Sequence, residues 1–272
     1  MTIDAVSVLL SRYEKLPARA SAAASVLSLV DDPNTSAQSL AKAIASDAMF
    51  AARVLRVANS PYYGLSGRVG TLPFAISVIG FQTVRSLAVA AAAGLDNSEA
   101  APPEFWRAAA TTAIVAELVA PRLGAHTGDA FTLGLLHLIG SALLHQHQPL
   151  AALCLPEPPD AAALLRDEEE AYGITHDAAG ARVLTAWRFP ARLCTLIARH
   201  HEHPLPDAPA LERTLLVARV LASEMLGQTA ELTVTQVSWI SQGQVTGSDM
   251  SELFDRAADK TEGLLQGLQP RH

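Results

Sequence analysis

The feature that most constrains this chain is a series of short apolar patterns with helical spacing, each closed by proline or glycine. In residues 51–58, apolar side chains fall at i, i+3, i+4 and i+7, which places them on one face of an α-helix. Pro61 follows and ends the pattern, because proline lacks the amide donor that a helix interior requires. Half of the 272 residues are hydrophobic but only 5% are aromatic, and small helix formers dominate. We therefore predict an all-α protein built as a multi-helix bundle.

Charge and targeting signals exclude several classes of function. The formal net charge is −7 and the pI is about 5.7, so no global positive field would attract nucleic acid or an anionic membrane. The N-terminus carries Asp4 and no basic segment typical of a signal peptide. No apolar run is expected to approach the roughly 20 residues that span a bilayer. We expect a cytoplasmic protein that binds neither nucleic acid nor membrane, with Cys154 and Cys194 as buried free thiols.

Residues that begin and end helices can be assigned in the N-terminal third. Thr35, with Gln38 three residues later, predicts a capping box at a helix start. Asp47 is expected to cap the next helix through its carboxylate. Farther along the chain, Gly80 and Gly94 are expected to end two consecutive helices.

A specific resemblance is carried by the run ARVLRVANSPYYG at residues 52–64 and by LPFAISVIGFQTVRSL at residues 72–87. Both runs are similar to the HDOD family, a branch of the HD metal-phosphohydrolase superfamily found in bacterial signalling proteins. The likeness covers roughly residues 15 to 225 and implies an HD-like fold. Its signature residues here are Asn59, Ser60 and Tyr63. At a helix end, Asn59 is expected to act as a cap, and Tyr63 is expected to form part of the core or of a groove wall.

The resemblance also implies a metal site, but most of its ligand positions are altered in this chain. HD enzymes usually carry a His-Asp pair in the core helix, and the matching residues in the run at 131–144 are His137 and Leu138. The first metal histidine of the superfamily matches Ala108, and the last aspartate matches Arg219. Of the four positions, only His137 can ligate a metal ion.

Arg219 would oppose a metal ion directly, because its guanidinium is permanently charged and only donates hydrogen bonds. A unit charge ~4 Å from a divalent cation is repelled by roughly 8 kcal/mol at an effective dielectric constant of 20. One imidazole does not recover that cost, so we predict no metal, no cofactor and no catalytic residue. If Arg219 faces His137, the guanidinium is suited to holding a phosphate.

The remaining histidines leave a second possibility open. His137, His176 and His200 could converge, and three imidazoles can bind zinc. A lone histidine on an apolar face is, however, more commonly a hydrogen-bonded core residue. The run HHEH at 200–203 lies near a helix end, where imidazoles favour the terminal carbonyl groups. The acidic run DEEE at 167–170 is expected to be a solvated face.

These observations predict an N-terminal helical lobe at residues 1–100, an HD-like bundle at 101–227 and a C-terminal helical extension at 228–272. A groove between the lobes is the default binding site. The predicted function is a non-catalytic bacterial signalling module that binds a signalling protein or a small anionic ligand such as a nucleotide. The degenerate pocket that would bind it contains His137, His176, His200 and Arg219. The alternative is a metal-dependent phosphohydrolase or phosphodiesterase that uses the three histidines of this set.

Overall fold

A computed structural model describes residues 18–30, 32–95, 103–147, 160–187, 189–202, 207–228 and 233–268. Within these ranges the chain is helical and contains no β-strand, which confirms the all-α prediction. Cys194 is buried and free, as expected. The expectations for Asp4, for Cys154 and for a boundary at residue 100 lie outside the described residues.

The N-terminal lobe begins with three helices: α1 (Ala18–Val30), α2 (Ala37–Ile44) and α3 (Ala48–Ala58). The predicted capping box at Thr35 and Gln38 is wrong by one residue. Ser36 and Ser39 form it, because the Ser36 hydroxyl accepts from the Ser39 amide at 3.2 Å and the Ser39 hydroxyl accepts from the Ser36 amide at 3.1 Å. The Thr35 hydroxyl instead donates to a carbonyl oxygen at the end of α1.

The cap at Asp47 is confirmed, since its Oδ1 accepts from the amides of Met49 and Phe50 at 2.9 and 3.1 Å. A short 3-10 helix, Pro61–Tyr63, follows α3, and α4 then spans Leu72–Ala92. Within α4, Gly80 has φ 77° and ψ 160°, a conformation that is open essentially only to glycine. The long helix is therefore two consecutive helices that meet at Gly80, as the sequence predicts.

The rest of the chain forms the bundle, with α5 (Pro103–Leu123), α6 (Thr127–Leu136), α7 (Ile139–His147), α8 (Ala161–Tyr172), α9 (His176–Ala186), α10 (Ala191–Ala198), α11 (Ala210–Met225), α12 (Thr233–Ile240) and α13 (Gly247–Leu268). Helix α5 lies at the centre and packs against α6, α11 and α13. Its buried face is rich in alanine, so neighbouring helices approach it closely.

Helix α13 connects the bundle to the N-terminal lobe, because it contacts α5 on one side and α3 with the 3-10 helix on the other. Arg53 and Arg56 of α3 donate to the carbonyl oxygens of Leu268 and Gly267 at 3.1 and 3.0 Å. Cations at a helix C-terminus interact favourably with its partial negative charge. The predicted C-terminal extension thus shares contacts with both parts of the molecule.

Two helical stretches, Leu72–Ala92 and Thr127–Gln146, are long and apolar enough to cross a membrane by length and composition. The expectation that no apolar run reaches such a length is therefore wrong. In the folded chain, 61% and 89% of their most apolar windows are buried. Their apolar character is accounted for by packing, since these helices supply the core of the bundle and of the lobe.

Candidate functional site

Three helix ends and one helix interior meet at a buried group of polar side chains. His137 follows α6, His176 begins α9, His200 follows α10, and Arg219 lies inside α11. Their exposed fractions are 0%, 1%, 2% and 1% respectively. The ring centroids of His137 and His200 are 5.7 Å apart, and those of His176 and His200 are 5.2 Å apart. The structure thus brings together all four residues that the sequence assigns to the degenerate pocket.

His176 reaches this position because α7 and α9 touch through glycine. A Cβ atom on Gly140 would lie 1.8 Å from the His176 carbonyl oxygen and 2.7 Å from the Gly180 amide nitrogen. Contacts that short do not occur, so alanine at position 140 would force the two helices apart. Gly140 follows His137 by three residues, and it allows one histidine-bearing segment to lie against the other.

Two further members of the group were missed by the sequence reasoning. The Glu168 carboxylate is buried and accepts from the ring Nδ1 of His176 at 2.7 Å and from its backbone amide at 2.8 Å. The prediction that the acidic run at 167–170 is a solvated face is therefore wrong for Glu168. The helical spacing could have indicated that Glu168 is buried, since it lies one turn before the buried Tyr172 in α8. His201, expected to be a helix-end residue, places its Nε2 2.9 Å from the Nε2 of His176.

The hydrogen bonds run in one direction from a cation to a carboxylate. Arg219 can only donate, so the His201 Nδ1, 2.9 Å from its guanidinium, must accept. A neutral His201 then carries its proton on Nε2 and donates to the Nε2 of His176. His176 in turn donates from Nδ1 to Glu168. We call these four residues, Arg219, His201, His176 and Glu168, the relay chain. It has balanced charge at its ends and a matched donor and acceptor at each step.

His137 and His200 stand beside the relay chain and are held by backbone groups. The Nδ1 of His137 donates to the Gly134 carbonyl oxygen at 2.7 Å, and that of His200 donates to the Ile197 carbonyl oxygen at 2.6 Å. Each neutral ring therefore turns an Nε2 lone pair into the cluster, where the Nε2 of His137 has no hydrogen-bond partner among the described residues. The Nε2 of His200 lies 3.3 Å from the Nε2 of His176, and with these tautomers both atoms are acceptors. Arg219 also donates to the carbonyl oxygen of His200.

Burial and the neighbouring guanidinium keep these imidazoles neutral. Burial first, and the charge of Arg219 second, lower the pKa of His137 to about 3. The same two causes, in the same order, lower the pKa values of His200 and His201 well below the ordinary value. Arg219 is therefore the permanent cation of the cluster, and three rings around it carry no charge at neutral pH.

The donor set only partly fits a divalent metal ion. One ligand nitrogen each from His176, His200 and His201 lies within 4.8 Å of the others, a spacing that could hold a metal. In the relay chain, however, the Nε2 of His201 is protonated and the Nε2 of His176 accepts its hydrogen bond, so neither lone pair is free. The positions implied by the resemblance at Ala108 and Leu138 are buried and offer only hydrocarbon. As arranged, the residues fit an internal guanidinium better than a metal.

The family-signature residues lie outside this cluster. Asn59 caps α3, as predicted: its Nδ2 donates to the carbonyl oxygens of Leu55 and Val69 at 3.0 and 2.8 Å, and its Oδ1 accepts from the Val69 amide at 3.0 Å. Ser60 is buried beneath the following turn. Tyr63 lies in a groove wall, where burial raises its pKa to about 12.

That groove is a cleft of about 330 Å³ between the N-terminal lobe and the bundle, which we call the interlobe cleft. The lobe contributes Tyr62, Tyr63 and the segment 79–83 around the Gly80 break. The bundle contributes Glu117 from α5 and the segment formed by Thr127, Gly128 and Phe131 of α6. The volume is at the lower end of the range of about 300 to 1,000 Å³ that is typical of small-molecule sites.

Comparison with protein families gives a match to the HDOD domain over residues 16–203. The match contains the signature run, the relay residues Glu168, His176 and His201, and the histidines His137 and His200. Arg219 and α13 lie beyond it.

Solved structures of the same fold give a consistent result. A Shewanella amazonensis SB2B protein named as a candidate phosphohydrolase has 26% identity and a TM-score of 0.66, with 96% of this chain and 97% of that chain covered. A Marinobacter aquaeolei VT8 protein named as a candidate signal transduction protein has 25% identity and a TM-score of 0.69, with 94% of this chain and 59% of that chain covered. An HDOD domain protein of unknown function from Geobacter sulfurreducens shares the fold, with 17% identity, a TM-score of 0.61 and 96% of each chain covered.

One curated relative, an uncharacterized protein of Treponema pallidum (strain Nichols), is 22% identical over 216 residues. The match covers 75% of this chain but only 41% of the relative's length.

Proposed function

The chain belongs to the HDOD family, and from that premise we propose that it is a non-catalytic signal-transduction module that acts by binding. The proposal is that Arg219 takes over the electrostatic role that a metal ion has in HD enzymes. The buried cluster then serves to hold α6, α8, α9, α10 and α11 together, and it performs no chemistry.

The relay chain is the observation that carries this proposal. Its guanidinium-to-carboxylate order satisfies the buried polar atoms of His201, His176 and Glu168 without an added ion. Fully satisfied polar networks rigidify a protein core, whereas a metal at this position would have to displace a fixed cation. Among the described residues, the carboxylate of the cluster belongs to Glu168, and it does not offset that repulsion because it faces the far nitrogen of His176.

A phosphodiesterase assay tests the non-catalytic part of the proposal. Untagged protein is incubated with bis(p-nitrophenyl) phosphate and added Mn²⁺, Mg²⁺ or Zn²⁺, beside a His137→Ala variant. We expect both proteins to match the rate of the metal-containing buffer. Turnover by the natural chain that disappears in the variant would overturn the proposal.

The binding partner is proposed to be a signalling protein or a small ligand. To bind in the cluster, a nucleotide phosphate would have to compete with acceptors that Arg219 already has, among them the His200 carbonyl oxygen and the His201 ring. A thermal-shift series with ATP and GTP tests this site directly. Stabilisation that is lost in Arg219→Ala would support anion binding at the cluster, and stabilisation that is unchanged in that variant would exclude it.

A metal-dependent phosphohydrolase is the second candidate, favoured by the pairing of His176 with Glu168. Histidines that ligate metals commonly donate their other ring nitrogen to a carboxylate, which is the arrangement found here. This candidate requires Arg219 to leave the Nδ1 of His201 so that three imidazole nitrogens become available. It predicts that Zn²⁺ raises the melting temperature of the natural chain but not that of His176→Ala. An equal response of both proteins to Zn²⁺ would exclude it.

A further inference from the structure

A second site, independent of the buried cluster, is formed where the N-terminal lobe meets the bundle. The Gly80 break in α4 interrupts the regular helix surface, and residues 79–83 on both sides of the break line the interlobe cleft. Glycine at this position has an ordinary structural explanation as a helix end. Because the helix breaks at Gly80, the wall of the lobe is concave where it faces α5 and α6.

Aromatic rings form much of the lining. The rings of Tyr62 and Phe131 come from the two sides of the cleft, with centroids 6.3 Å apart and planes inclined by only 22°. Tyr63 meets Tyr62 edge to face, at 4.6 Å and 85°, which fixes the orientation of the Tyr62 ring. These two rings stack on each other, so a ligand does not fit between them. Together they form an aromatic wall, against which flat, unsaturated ligands pack favourably.

The charge in the cleft is supplied by one oriented carboxylate. The Tyr62 hydroxyl donates to Oε2 of Glu117 at 2.5 Å, and the Lys260 ammonium lies 3.6 Å from Oε1 of the same carboxylate. These two contacts fix the carboxylate but leave it lone pairs for further donors, because a carboxylate has about four acceptor positions. The described residues that line the cleft include no arginine or lysine, although the Lys260 ammonium also lies 5.2 Å from the centre of the Tyr62 ring.

Gln82 adds a second polar group. It lines the cleft, and its side-chain oxygen is shielded from solvent with no hydrogen-bond partner among the described residues. An unpaired buried amide oxygen is costly, so a ligand with an N–H donor gains binding free energy when the Gln82 side chain turns this oxygen into the cleft. Glu117 and Gln82 therefore both favour a ligand with hydrogen-bond donors, and the aromatic rings favour a ligand with a flat apolar body.

We propose that the interlobe cleft binds a small planar heteroaromatic molecule that carries N–H donors, of the size and kind of a purine base. Glu117 accepts from the donor edge, Gln82 pairs with a second polar group, and the aromatic wall of Tyr62 and Phe131 packs against the flat body of the ligand. The ligand is neutral or cationic at the recognised end, since the Glu117 carboxylate would repel an anion. This site does not depend on the state of the histidine cluster, so either proposal can fail without the other.

Calorimetric titration of the full chain with guanosine, adenosine and caffeine tests the proposal. Guanosine and adenosine present N–H donors, whereas caffeine is a purine with every ring nitrogen either methylated or an acceptor. We expect the nucleosides to bind and caffeine to bind at least about tenfold more weakly, because it leaves a charged acceptor unpaired. Equal binding of caffeine, or no binding of either nucleoside at millimolar concentration, would overturn the proposal.

Two variants assign the binding to the cleft. Glu117→Gln should weaken nucleoside binding about tenfold or more, while Glu104→Gln, an exposed carboxylate on the same helix, should leave it unchanged. Thr127→Trp adds bulk at an exposed position in the cleft and should abolish binding while the far-ultraviolet circular dichroism stays the same. If both Glu117→Gln and Thr127→Trp bound the nucleoside with the affinity of the natural chain, the nucleoside would bind elsewhere and the assignment would be overturned.

A competition experiment tests the recognition by a carboxylate. Inorganic pyrophosphate that competes with guanosine for binding would contradict it.

Discussion

The buried histidine cluster and the interlobe cleft contrast in how their polar groups are satisfied. In the cluster, the relay chain pairs each donor with an acceptor, and its two charges lie at opposite ends. In the cleft, Glu117 is oriented by Tyr62 and Lys260 but retains free acceptor positions, and the Gln82 oxygen has no partner among the described residues. The relay chain is a closed network, which contributes stability and specificity, although the Nε2 of His137 beside it has no partner among the described residues. The incomplete network lies in a concave surface, which favours binding. This contrast supports our two proposals, that the cluster is structural and that recognition takes place in the cleft.

The largest expected effect comes from removing the cation of the relay chain. Arg219→Met keeps most of the side-chain volume but leaves the His201 Nδ1 and the His200 carbonyl oxygen without their donor. We expect the free energy of unfolding to fall by about 3–5 kcal/mol, as measured by urea denaturation. Arg182→Met, at an exposed position of α9, is the matched control and should change it by no more than about 0.5 kcal/mol. Similar effects in the two variants would show that the cluster is not the closed network described here.

Backbone packing beside the cluster is expected to give the next largest effect. Gly140→Ala puts a methyl group against the backbone of His176 and Gly180. The free energy of unfolding should therefore fall by about 3 kcal/mol. Gly128 in the cleft is the control, since a Cβ there meets only the exposed ring of His126 at 3.1 Å, and that ring is held by one long bond of 3.3 Å from the Asp129 amide. Gly128→Ala should therefore leave the melting temperature nearly unchanged. Equal melting temperatures for the two variants would contradict the close contact of α7 and α9.

A smaller effect is expected at the acidic end of the relay chain. Glu168→Gln keeps an acceptor for His176 but removes the negative charge that balances Arg219. We expect the free energy of unfolding to fall by about 1–2 kcal/mol. Glu170→Gln, two residues along α8 and exposed, should be neutral in the same denaturation experiment. If both substitutions were neutral, the carboxylate would not be part of the buried charge balance.

The pH dependence of stability, rather than its value at one pH, is expected to report on His137. The folded-state pKa of His137 is about 3 and the unfolded value is 6.5, so the unfolded chain binds the extra proton between these values. Its contribution to stability is fully present above pH 6.5 and is lost as the pH falls towards 3. Replacing His137 with leucine should therefore flatten the stability curve in this window by up to about 1.4 kcal/mol per pH unit. Parallel curves for the two proteins, obtained by urea denaturation at several pH values, would show that His137 does not stay neutral in the fold.

Much of the fold could be predicted from local sequence because it depends on local signals. Asp47 and Asn59 act as caps, and Gly80 interrupts α4, at positions where the sequence pattern itself changes. The capping box was misplaced because Thr35 and Ser36 are both suitable caps, and only the tertiary bond from Thr35 to α1 separates them. The apolar length of Thr127–Gln146 is underestimated from the sequence because His137 and Ser141 interrupt the run, whereas its average hydropathy stays high.

The candidate site was predictable only in part. His137, His176, His200 and Arg219 could be named from the resemblance, since each follows a recognisable run. Glu168 could not, because an acidic run is usually solvated and its partner His176 lies in the next helix. The interlobe cleft depends on distances between Tyr62 in the lobe and Glu117 and Phe131 in the bundle, and no local pattern reports such distances.

The most direct test of the central claim is the metal content of the untagged protein. The chain is purified without a histidine tag, dialysed against metal-free buffer and analysed by inductively coupled plasma mass spectrometry. If Arg219 replaces the ion, we expect far less than one transition-metal ion per chain in the natural protein. One or more tightly held ions per chain, absent from the His176→Ala variant, would show that the imidazoles still form a metal site and that the relay chain is not the native arrangement.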